Sequence, residues 1–417
     1  MKVIVYPHDL GIGGSQLNAI ELAAGVRDLG HEVLVFGRPG ALNGRIDQLG
    51  LEFVEAPPPG RRPSPTTARA LVDLVRARGV DVIHGYEWPP VLDAVLAAAL
   101  GSPARVVGTV MSMSVPPFIP HDVELVVGTE QIAAVERRAG RPRVRTIEPP
   151  VDLAFNDPAL PVGVDAFRMR YGLDDGRVNV VSVTRFAREL KLEGTLAAID
   201  VVGRISDRFP VRLVLVGDGP ARDEVAERAR RVNERHGEGT VVLTGRLDDP
   251  RPAYAVADVA LGMGGSALRS LAFGKPLIVQ GESGFWRTLT SETVDRFSWT
   301  GWYGVGEGEQ GGADALEAEL APLLAAPSLR AVLGEYGLEL ARSRFSLTRA
   351  SAVQLQVYRE ALAEGSQRQV GAEIAALARY AGYYARKRIS RVLGRESLDD
   401  FNARPVAARR DAERVPS

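Results

Sequence analysis

Residues 178–220 read VNVVSVTRFARELKLEGTLAAIDVVGRISDRFPVRLVLVGDGP, and their pattern decides the fold. The β-branched run Val178–Val183 is followed by a charged loop, a helical period over Glu193–Arg208 and a second apolar run, Arg212–Val216. Short apolar runs that alternate with helices are typical of a parallel sheet covered by helices on both faces. Such sheets bind their ligands at the carboxyl ends of the strands, so functional residues are expected in the loops that follow these runs.

The same alternation continues on both sides of this stretch. Further strands are predicted in the second half of the chain at Val241–Thr244, Val259–Leu261 and Leu277–Gln280, with a helix at Ala221–Glu234. In the first half, strands are predicted at Lys2–Pro7, Glu32–Phe36, Asp81–His84, Arg105–Val110 and Val123–Val127, and helices at Ser15–Leu29, Thr67–Arg78 and Pro89–Leu100. The Pro- and Asp-rich segment Glu148–Pro161 interrupts the period and is interpreted as a linker. The pattern predicts an α/β protein with two Rossmann-like, doubly wound domains, residues 1–160 and 161–345, which face each other across a cleft.

Composition narrows the class of protein. The 417 residues are 45% hydrophobic, which is enough for buried cores and excludes a disordered or fibrous chain. A net charge of −1 gives no general attraction to nucleic acid. Cysteine is absent, which excludes disulfides, thiolate zinc sites and a cysteine nucleophile. Because the N-terminus lacks a signal-peptide pattern and no apolar run reaches membrane-spanning length, a cytoplasmic protein is expected.

Three glycine-rich turns stand where a strand is followed by a helix. They are Gly11–Ser15 (GIGGS), Val216–Pro220 (VGDGP) and Gly262–Leu268 (GMGGSAL). Glycine allows backbone N–H groups to approach an anion, and the N-terminus of a helix adds the positive end of its dipole. Each turn is also compatible with a tight connection that binds nothing, with Ser15 or Asp218 as a helix cap. The turns therefore predict candidate phosphate contacts without identifying a ligand.

Arg185 and Lys191 follow the first strand of the second domain, within the segment TRFARELKLEG. Two cations at the carboxyl end of a strand suit a diphosphate, because arginine offers a bidentate fork and lysine a compact charge. Lysine supplies only four of the 51 basic residues, so its retention at position 191 favours a specific role. The alternative is a solvated loop in which the two cations pair with Glu189 and Glu193.

Taken in order, several motifs resemble glycosyltransferase family 4, whose members have the GT-B fold of two Rossmann-like domains. The motifs are GGS near the N-terminus, TRF…KLEG, LVLVGDGP, GMGGSALRSLAFGKPLIV and a late FSLTRA…VYREAL. The resemblance covers residues 1–365. It implies transfer of a sugar from a nucleotide-diphosphate sugar to a glycan, a lipid-linked acceptor or a small molecule, with retained configuration and without a metal or other cofactor. It also implies that a helix at residues 346–365 crosses back to the first domain.

The resemblance assigns roles to the matching residues. It implies that Arg185 and Lys191 are the catalytic cations that hold the diphosphate. The other candidate contacts to the donor are Gly13, Gly14, Gly217, Gly219, Arg246, Leu247, Gly264, Gly265, Ser266, Ala267, Leu268 and Arg269. Fixed cations and helix N-termini stabilise the negative charge that develops on a leaving diphosphate, which agrees with a metal-independent site.

The chain departs from the family at three positions. The two glutamates that commonly flank the last glycine-rich loop are missing near Leu261 and at Arg269, and the histidine expected near Met111 is also missing. We therefore interpret the chain as a variant form of the family. Two alternatives stay open: a degenerate GT-B protein that binds a nucleotide sugar or scaffolds a partner enzyme, and an epimerase that acts on a nucleotide sugar. The retained donor cations favour a transferase.

The first domain offers candidate contacts to the acceptor at His8, Glu87, Trp88 and Met111. Glu87 suits acceptor hydroxyls or a general base, and Trp88 suits stacking on a sugar ring or, alternatively, core packing. Met111 suits an apolar acceptor or packing. In the second domain Glu282, in the segment GESGFW, follows a strand and is a candidate contact to the donor sugar in place of a missing glutamate.

The last stretch, residues 366–417, is predicted to be a basic helical tail that is partly disordered. Residues 366–395 contain seven basic residues and one acidic residue. The segment Tyr380–Arg395 (YAGYYARKRISRVLGR) mixes aromatic and aliphatic residues with basic ones, which suits peripheral contact with an anionic membrane. The alternative is a solvated helix that docks on the negatively charged body of the protein.

Overall fold

A computed structural model describes residues 1–58, 60, 62–308, 311–363, 370–392, 401, 402, 405 and 406. The chain divides into two compact units. The N-terminal unit contains Met1–Pro150 and the described residues from Leu347 onward, and the C-terminal unit contains Val151–Ser346. Each unit is an α/β domain, and a helical C-terminal extension is present, as the sequence predicts.

The elements alternate along the chain in the predicted manner. Up to Pro150 they are β1 (Lys2–Pro7), α1 (Gly14–Asp28), β2 (Glu32–Gly37), α2 (Asn43–Gln48), β3 (Glu52–Glu55), α3 (Pro65–Arg78), β4 (Val82–Tyr86), α4 (Trp88–Ala99), β5 (Arg105–Val110), β6 (Glu124–Val127), α5 (Glu130–Arg138) and β7 (Val144–Thr146). From Val151 they are α6 (Val164–Tyr171), β8 (Val178–Val183), α7 (Leu192–Ile205), β9 (Val211–Val216), α8 (Arg222–His236), β10 (Val241–Gly245), α9 (Arg251–Val256), β11 (Val259–Gly262), α10 (Gly265–Ala272), β12 (Leu277–Gln280), β13 (Trp286–Thr288), α11 (Val294–Thr300), α12 (Gly312–Ala325), α13 (Pro327–Arg344), α14 (Leu347–Ala363) and α15 (Val370–Val392).

Each unit is built on one sheet. Among the described residues, the N-terminal sheet has seven strands in the order β3-β2-β1-β4-β5-β6-β7, and the C-terminal sheet has six in the order β10-β9-β8-β11-β12-β13. All pairs are parallel except β12 with β13, which pair antiparallel. The central strands are almost wholly buried, with helices on both faces. This burial explains why their sequences are continuous apolar runs.

Three of the four edge strands among the described residues, β3, β7 and β13, and the short helix α2 were not predicted, whereas the edge strand β10 was. Strand β3 has only four residues, with glutamates at both ends, and α2 has six. Neither is long enough to show a hydrophobic period. Strand β4 extends to Tyr86, so His84 lies inside the strand, not at its end as predicted. None of the helices in the described part of the chain combines the length and hydropathy needed to span a bilayer.

Along the chain, the boundary between the two units follows Pro150, not residue 160 as predicted. The amide of Val151 donates to the carbonyl of Phe345 at 2.7 Å, and Arg251 lies 3.8 Å from the centroid of the Phe155 ring. The predicted linker therefore belongs largely to the C-terminal unit. Helix α14 belongs to the N-terminal unit and packs on α1 at Gly25, where an added Cβ would lie 2.0 Å from the Ser351 Oγ.

A buried histidine ties α14 to the N-terminal sheet. The Nδ1 of His84 lies 2.7 Å from the Tyr358 hydroxyl, and its Nε2 lies 2.7 Å from the Thr109 hydroxyl. Burial lowers the pKa of His84 from 6.5 to about 3. The neutral imidazole is therefore the form that the folded unit accommodates.

We expect His84 to make the N-terminal unit less stable in acid. Its contribution is fully present above the unfolded-state pKa of 6.5 and is lost as the pH falls toward 3. Between pH 7 and pH 5 the loss should be about 2 kcal/mol. Chemical denaturation at both pH values measures it, with His84→Asn as the control that stays uncharged. An equal pH dependence in both proteins would refute this role.

Candidate functional site

The order of the strands in the C-terminal sheet reverses at β8, which is the topological switch point of the sheet. The chain passes from β8 to β9 on one side and later returns to place β11 on the other side. The loops after β8 and β11 therefore diverge at the carboxyl edge, which is where open α/β sheets bind ligands. Arg185 and Lys191 lie in the first loop, and the segment Gly264–Arg269 follows the second strand.

The two predicted donor cations have no carboxylate partner among the described residues. Arg185 is exposed, and Lys191 immediately precedes α7. Burial lowers the pKa of the Lys191 ammonium to about 8. The alternative of pairing with Glu189 and Glu193 is wrong, because the Glu193 carboxylate accepts from the amides of Ser283 and Gly284 instead.

The observed contact of Glu193 was not predicted: its carboxylate fastens the loop after β12 to the first turn of α7. Its two oxygens lie 3.0 and 2.6 Å from the amide nitrogens of Ser283 and Gly284. Beside it, the Gln280 amide group donates to the Lys191 carbonyl at 3.1 Å. These contacts fix the backbone that carries Lys191. The only signal in the sequence was an acidic residue in the first helical turn, which is common at helix N-termini.

Glu282 lies in the loop that Glu193 fastens. The Tyr303 hydroxyl donates to the Glu282 Oε2, and the Glu282 amide donates to the Gly304 carbonyl at 3.0 Å. Burial and the Glu282 carboxylate raise the pKa of Tyr303, so its hydroxyl stays protonated. The carboxylate is thus oriented by its neighbours, while its predicted contact with a donor sugar stays a prediction.

The backbone of the loop that carries Arg185 packs closely against Gly217 and Gly219. An added Cβ at Gly217 would lie 1.8 Å from the Thr184 carbonyl oxygen, and one at Gly219 would lie 2.6 Å from that of Phe186. The Phe186 amide also donates to the Asp218 carbonyl at 3.0 Å. The glycines therefore let two loops pack backbone against backbone.

Asp218 does not cap α8, contrary to one of the two interpretations of its turn. Its carboxylate accepts from the Gly219 amide at 2.8 Å, and α8 begins at Arg222 without a side-chain cap. The turn closes on itself before the helix starts.

The segment Gly264–Arg269 opens α10. Gly264 has a φ of +55°, and its amide donates to the Trp302 carbonyl at 3.0 Å. Within the described part of the chain, the amides of the next three residues, Gly265, Ser266 and Ala267, have no acceptor. These donors face the end of the helix and are suited to an anion.

The side chains of this segment have other roles. Ala267 and Leu268 are fully buried in the core, so only their backbone can meet a ligand. The Ser266 hydroxyl donates to the Met263 carbonyl at 3.0 Å. Arg269, where the family commonly has glutamate, donates to the Gly265 carbonyl at 3.4 Å and so lies along the first turn of its own helix.

Two further candidate donor contacts lie after β10. Arg246 is exposed and pairs with Asp248 at 3.5 Å. Leu247 is half-buried and packs on the core beneath β8 and β9. Their predicted contact with the donor stays a prediction.

The N-terminal sheet has the same kind of switch, between β1 and β4, and Glu87 lies there. The Ser15 hydroxyl and the Met111 amide both donate to the Glu87 Oε1 at 3.0 Å, and the Ser112 hydroxyl donates to Oε2 at 2.9 Å. Glu87 has a φ of +69°, a strained value for this residue type. It joins the first turn of α1 to the loops after β4 and β5 and is therefore a positioning residue; a direct contact with an acceptor stays a prediction.

Trp88 is half-buried and packs against other aromatic rings. Its ring centroid lies 5.4 Å from that of Phe118, 6.0 Å from Tyr380 and 6.4 Å from Tyr383. These contacts agree with the packing alternative, and contact of Trp88 with a sugar ring stays a prediction. Sequence reasoning could not find Tyr380 and Tyr383 as its neighbours, because they come from α15 at the other end of the chain.

The remaining N-terminal candidates lie between β1 and the start of α1, except Met111, which follows β5. His8 Nε2 lies 2.8 Å from a carboxylate oxygen of Asp9 and holds the pKa of that carboxyl well below its usual range. Gly13 precedes α1 in extended conformation, and Gly14, its first residue, has open space at its Cβ position. Met111 lines a cavity with room for about one water molecule. Within the described ranges, no group of three or more histidine and acidic residues is arranged to hold a metal ion.

Models of two glycosyltransferase families match this chain. Residues 12–138 match the model of the family described as Glycosyltransferase Family 4, and residues 177–297 match that of Glycosyl transferases group 1. These matches confirm the resemblance predicted from the motifs. A search of the curated proteins found no match.

Several solved structures have the same fold. A glycosyltransferase from Rickettsia africae is 16% identical, with a TM-score of 0.68 over 87% of this chain and 98% of its own. Anabaena HepE in complex with UDP is 15% identical, with a TM-score of 0.66 over 86% and 100%. The catalytic domain of Arabidopsis thaliana starch synthase IV, bound to ADP and acarbose, is 14% identical, with a TM-score of 0.66 over 87% and 99%. These likenesses confirm the predicted GT-B fold.

Proposed function

We propose that the chain transfers a sugar from a nucleotide-diphosphate sugar to an acceptor. The premise is that it belongs to the glycosyltransferases, whose family models match both of its units. The observation that carries the proposal is the pair Arg185 and Lys191. Both cations lie on the loop at the switch point of the C-terminal sheet, and neither has a carboxylate partner among the described residues. A diphosphate supplies the missing negative charge.

The chemistry follows from where charge develops. As the bond between the sugar and the diphosphate breaks, negative charge grows on the leaving phosphate oxygens. Lys191 and Arg185 stabilise that charge directly, and the open amides at the start of α10 add hydrogen-bond donors. We propose that these groups suffice without a metal, and that the sugar keeps its anomeric configuration.

The nucleotide is proposed from the relatives. Solved structures of similar fold contain UDP, UDP-glucose or ADP, so a uridine or adenosine diphosphate sugar is the first donor to try. We propose a glycan or lipid-linked acceptor, as in the synthesis of a polysaccharide, with a small molecule as the alternative. The protein is proposed to act in the cytoplasm and to touch a membrane only peripherally, through its basic tail.

A degenerate protein that binds a nucleotide sugar without turning it over is the second candidate. It is favoured by Arg269, which lies along α10 where a glutamate is common in the family. This candidate predicts the same donor binding, so binding alone does not distinguish the two.

Turnover separates the candidates. Purified protein is incubated with UDP-glucose or ADP-glucose in EDTA, and release of the nucleoside diphosphate is followed over time. A transferase should release it slowly to water and faster with an acceptor extract, and Arg185→Ala should abolish the release. Tight binding with no release under any condition would favour the degenerate protein instead.

A further inference from the structure

Helix α15 rests on the N-terminal unit through aromatic side chains. The ring centroids of Tyr380 and Tyr383 lie 5.2 and 5.0 Å from that of Phe118. The Tyr380 hydroxyl also donates to the Arg62 carbonyl at 2.6 Å. One face of the helix is therefore fixed against the N-terminal unit, so the residues on the opposite face point away from that unit.

The opposite face is exposed to solvent and consists mainly of small residues, with arginines beside them. Four small residues on it are exposed: Ala378, Ala381, Gly382 and Ala385. Ile389 follows them with 60% of its surface exposed, and Tyr384 lies at the edge with 50% exposed. Arg379, Arg386 and Arg388 are exposed as well, and none of the three forms an ion pair with a residue that the structure describes.

The charges of α15 show which groups make its contact with the unit. If α15 docked on a negatively charged body, its cations would face the body. Instead the contact is made by tyrosine, tryptophan and phenylalanine rings, and Arg386 and Arg388 are exposed to solvent. Residues 378–389 contain four basic residues and no acidic one. The helix therefore docks on the N-terminal unit, as the alternative predicts, but through aromatic rings. Contact of its outer face with a membrane is a separate question, because that face is left open by this docking.

We infer that the outer face of α15 docks the N-terminal unit on an anionic phospholipid surface, with Arg386 and Arg388 at the phosphates and Tyr384 and Ile389 in the interface. Exposed apolar side chains among cations favour a lipid surface over a nucleic acid, which offers no apolar layer at its phosphates. The inference rests on the proposed peripheral contact of the tail and names its helix face and its lipid class. It does not depend on sugar transfer.

Vesicle sedimentation of the full chain tests the inference. Vesicles of equal parts phosphatidylglycerol and phosphatidylcholine are compared with vesicles of phosphatidylcholine alone. Wild type should partition at least about tenfold more strongly to the anionic vesicles, and high salt should weaken that binding. The double variant Arg386→Glu with Arg388→Glu should lose this preference.

A matched control reverses two arginines elsewhere. Arg230 and Arg231 are exposed on α8, but both pair with Glu227 there. Reversing both to glutamate changes the net charge equally and should leave vesicle binding intact. Loss of binding in this control as well would mean that overall charge, not α15, drives the attraction, and would overturn the inference.

A second variant tests the apolar contribution. Tyr384→Ser with Ile389→Ser keeps every cation and should weaken vesicle binding severalfold; unchanged binding would overturn the proposed insertion into the interface. Thermal unfolding checks that each variant is folded. Nucleotide binding is measured separately without vesicles, so failure of the donor site and failure of membrane docking give different results.

Discussion

Replacing Lys191 with alanine is expected to weaken nucleoside diphosphate binding by about 30- to 150-fold, or about 2–3 kcal/mol, the value of one charge-assisted contact. The Lys191 ammonium is desolvated and has no carboxylate partner among the described residues, so a bound diphosphate would be its main counter-charge. Titration calorimetry of wild type and variant with UDP and ADP measures the change.

Arg188→Ala is the matched control for Lys191→Ala. Arg188 lies in the same loop but is exposed and paired with Glu224 at 3.3 Å. Its removal should change diphosphate affinity little, since surface pairs contribute little. If both variants bind like wild type, the donor site has been placed on the wrong loop.

The pKa of Lys191 adds a pH test to the same variant. Because burial lowers that pKa to about 8, part of the ammonium charge is lost at a pH where an ordinary lysine stays protonated. Diphosphate affinity of wild type should therefore decline as the pH rises through 8, whereas the affinity of Lys191→Ala should not show this decline. Parallel pH profiles would contradict the direct contact.

The second large effect is expected for Gly217→Ala. The new Cβ would lie 1.8 Å from the Thr184 carbonyl oxygen, which is backbone and cannot rotate away, and the φ of +153° is unfavourable for alanine. We expect a loss of about 3–5 kcal/mol in the stability of the C-terminal unit, from overpacking and backbone strain together. Denaturant unfolding monitored in that unit measures it.

Gly176→Ala separates strain from crowding. Gly176 has a φ of +79°, but nothing lies within 4 Å of its Cβ position. Its replacement should therefore cost only about 1 kcal/mol. A loss at Gly217 no larger than this would show that the Arg185 loop does not rest on the glycine turn.

The sequence predicted the central elements well because burial leaves a clear pattern. Strands β1, β5, β8 and β12 have the predicted bounds, since each is an apolar run between turn residues. The edge strand β3 was missed because an edge strand tolerates glutamates and carries no such run. The unit boundary was misplaced because Pro and Asp predict irregular backbone, and irregular backbone at Val151 and Phe155 still packs on the C-terminal unit.

The charged residues of the candidate site could be predicted from the sequence, but the contacts that position them could not. Arg185 and Lys191 stand out because two cations follow a buried strand. The contacts that hold them come from distant positions: Glu193 reaches Ser283 and Gly284, and no local pattern indicates that pairing. For the same reason, the role of Glu87 as a junction and the covering of Trp88 by α15 required the tertiary structure.

The most direct test of a nucleotide-diphosphate site is a thermal-shift comparison of the full chain with UDP, ADP, GDP and dTDP in EDTA. A nucleotide present at about a hundred times its dissociation constant should stabilise the protein by about 2.7 kcal/mol. The account predicts a clear rise in melting temperature with at least one nucleotide, undiminished by EDTA and lost in Lys191→Ala. No rise with any nucleotide, or a rise of equal size in Lys191→Ala, would contradict it.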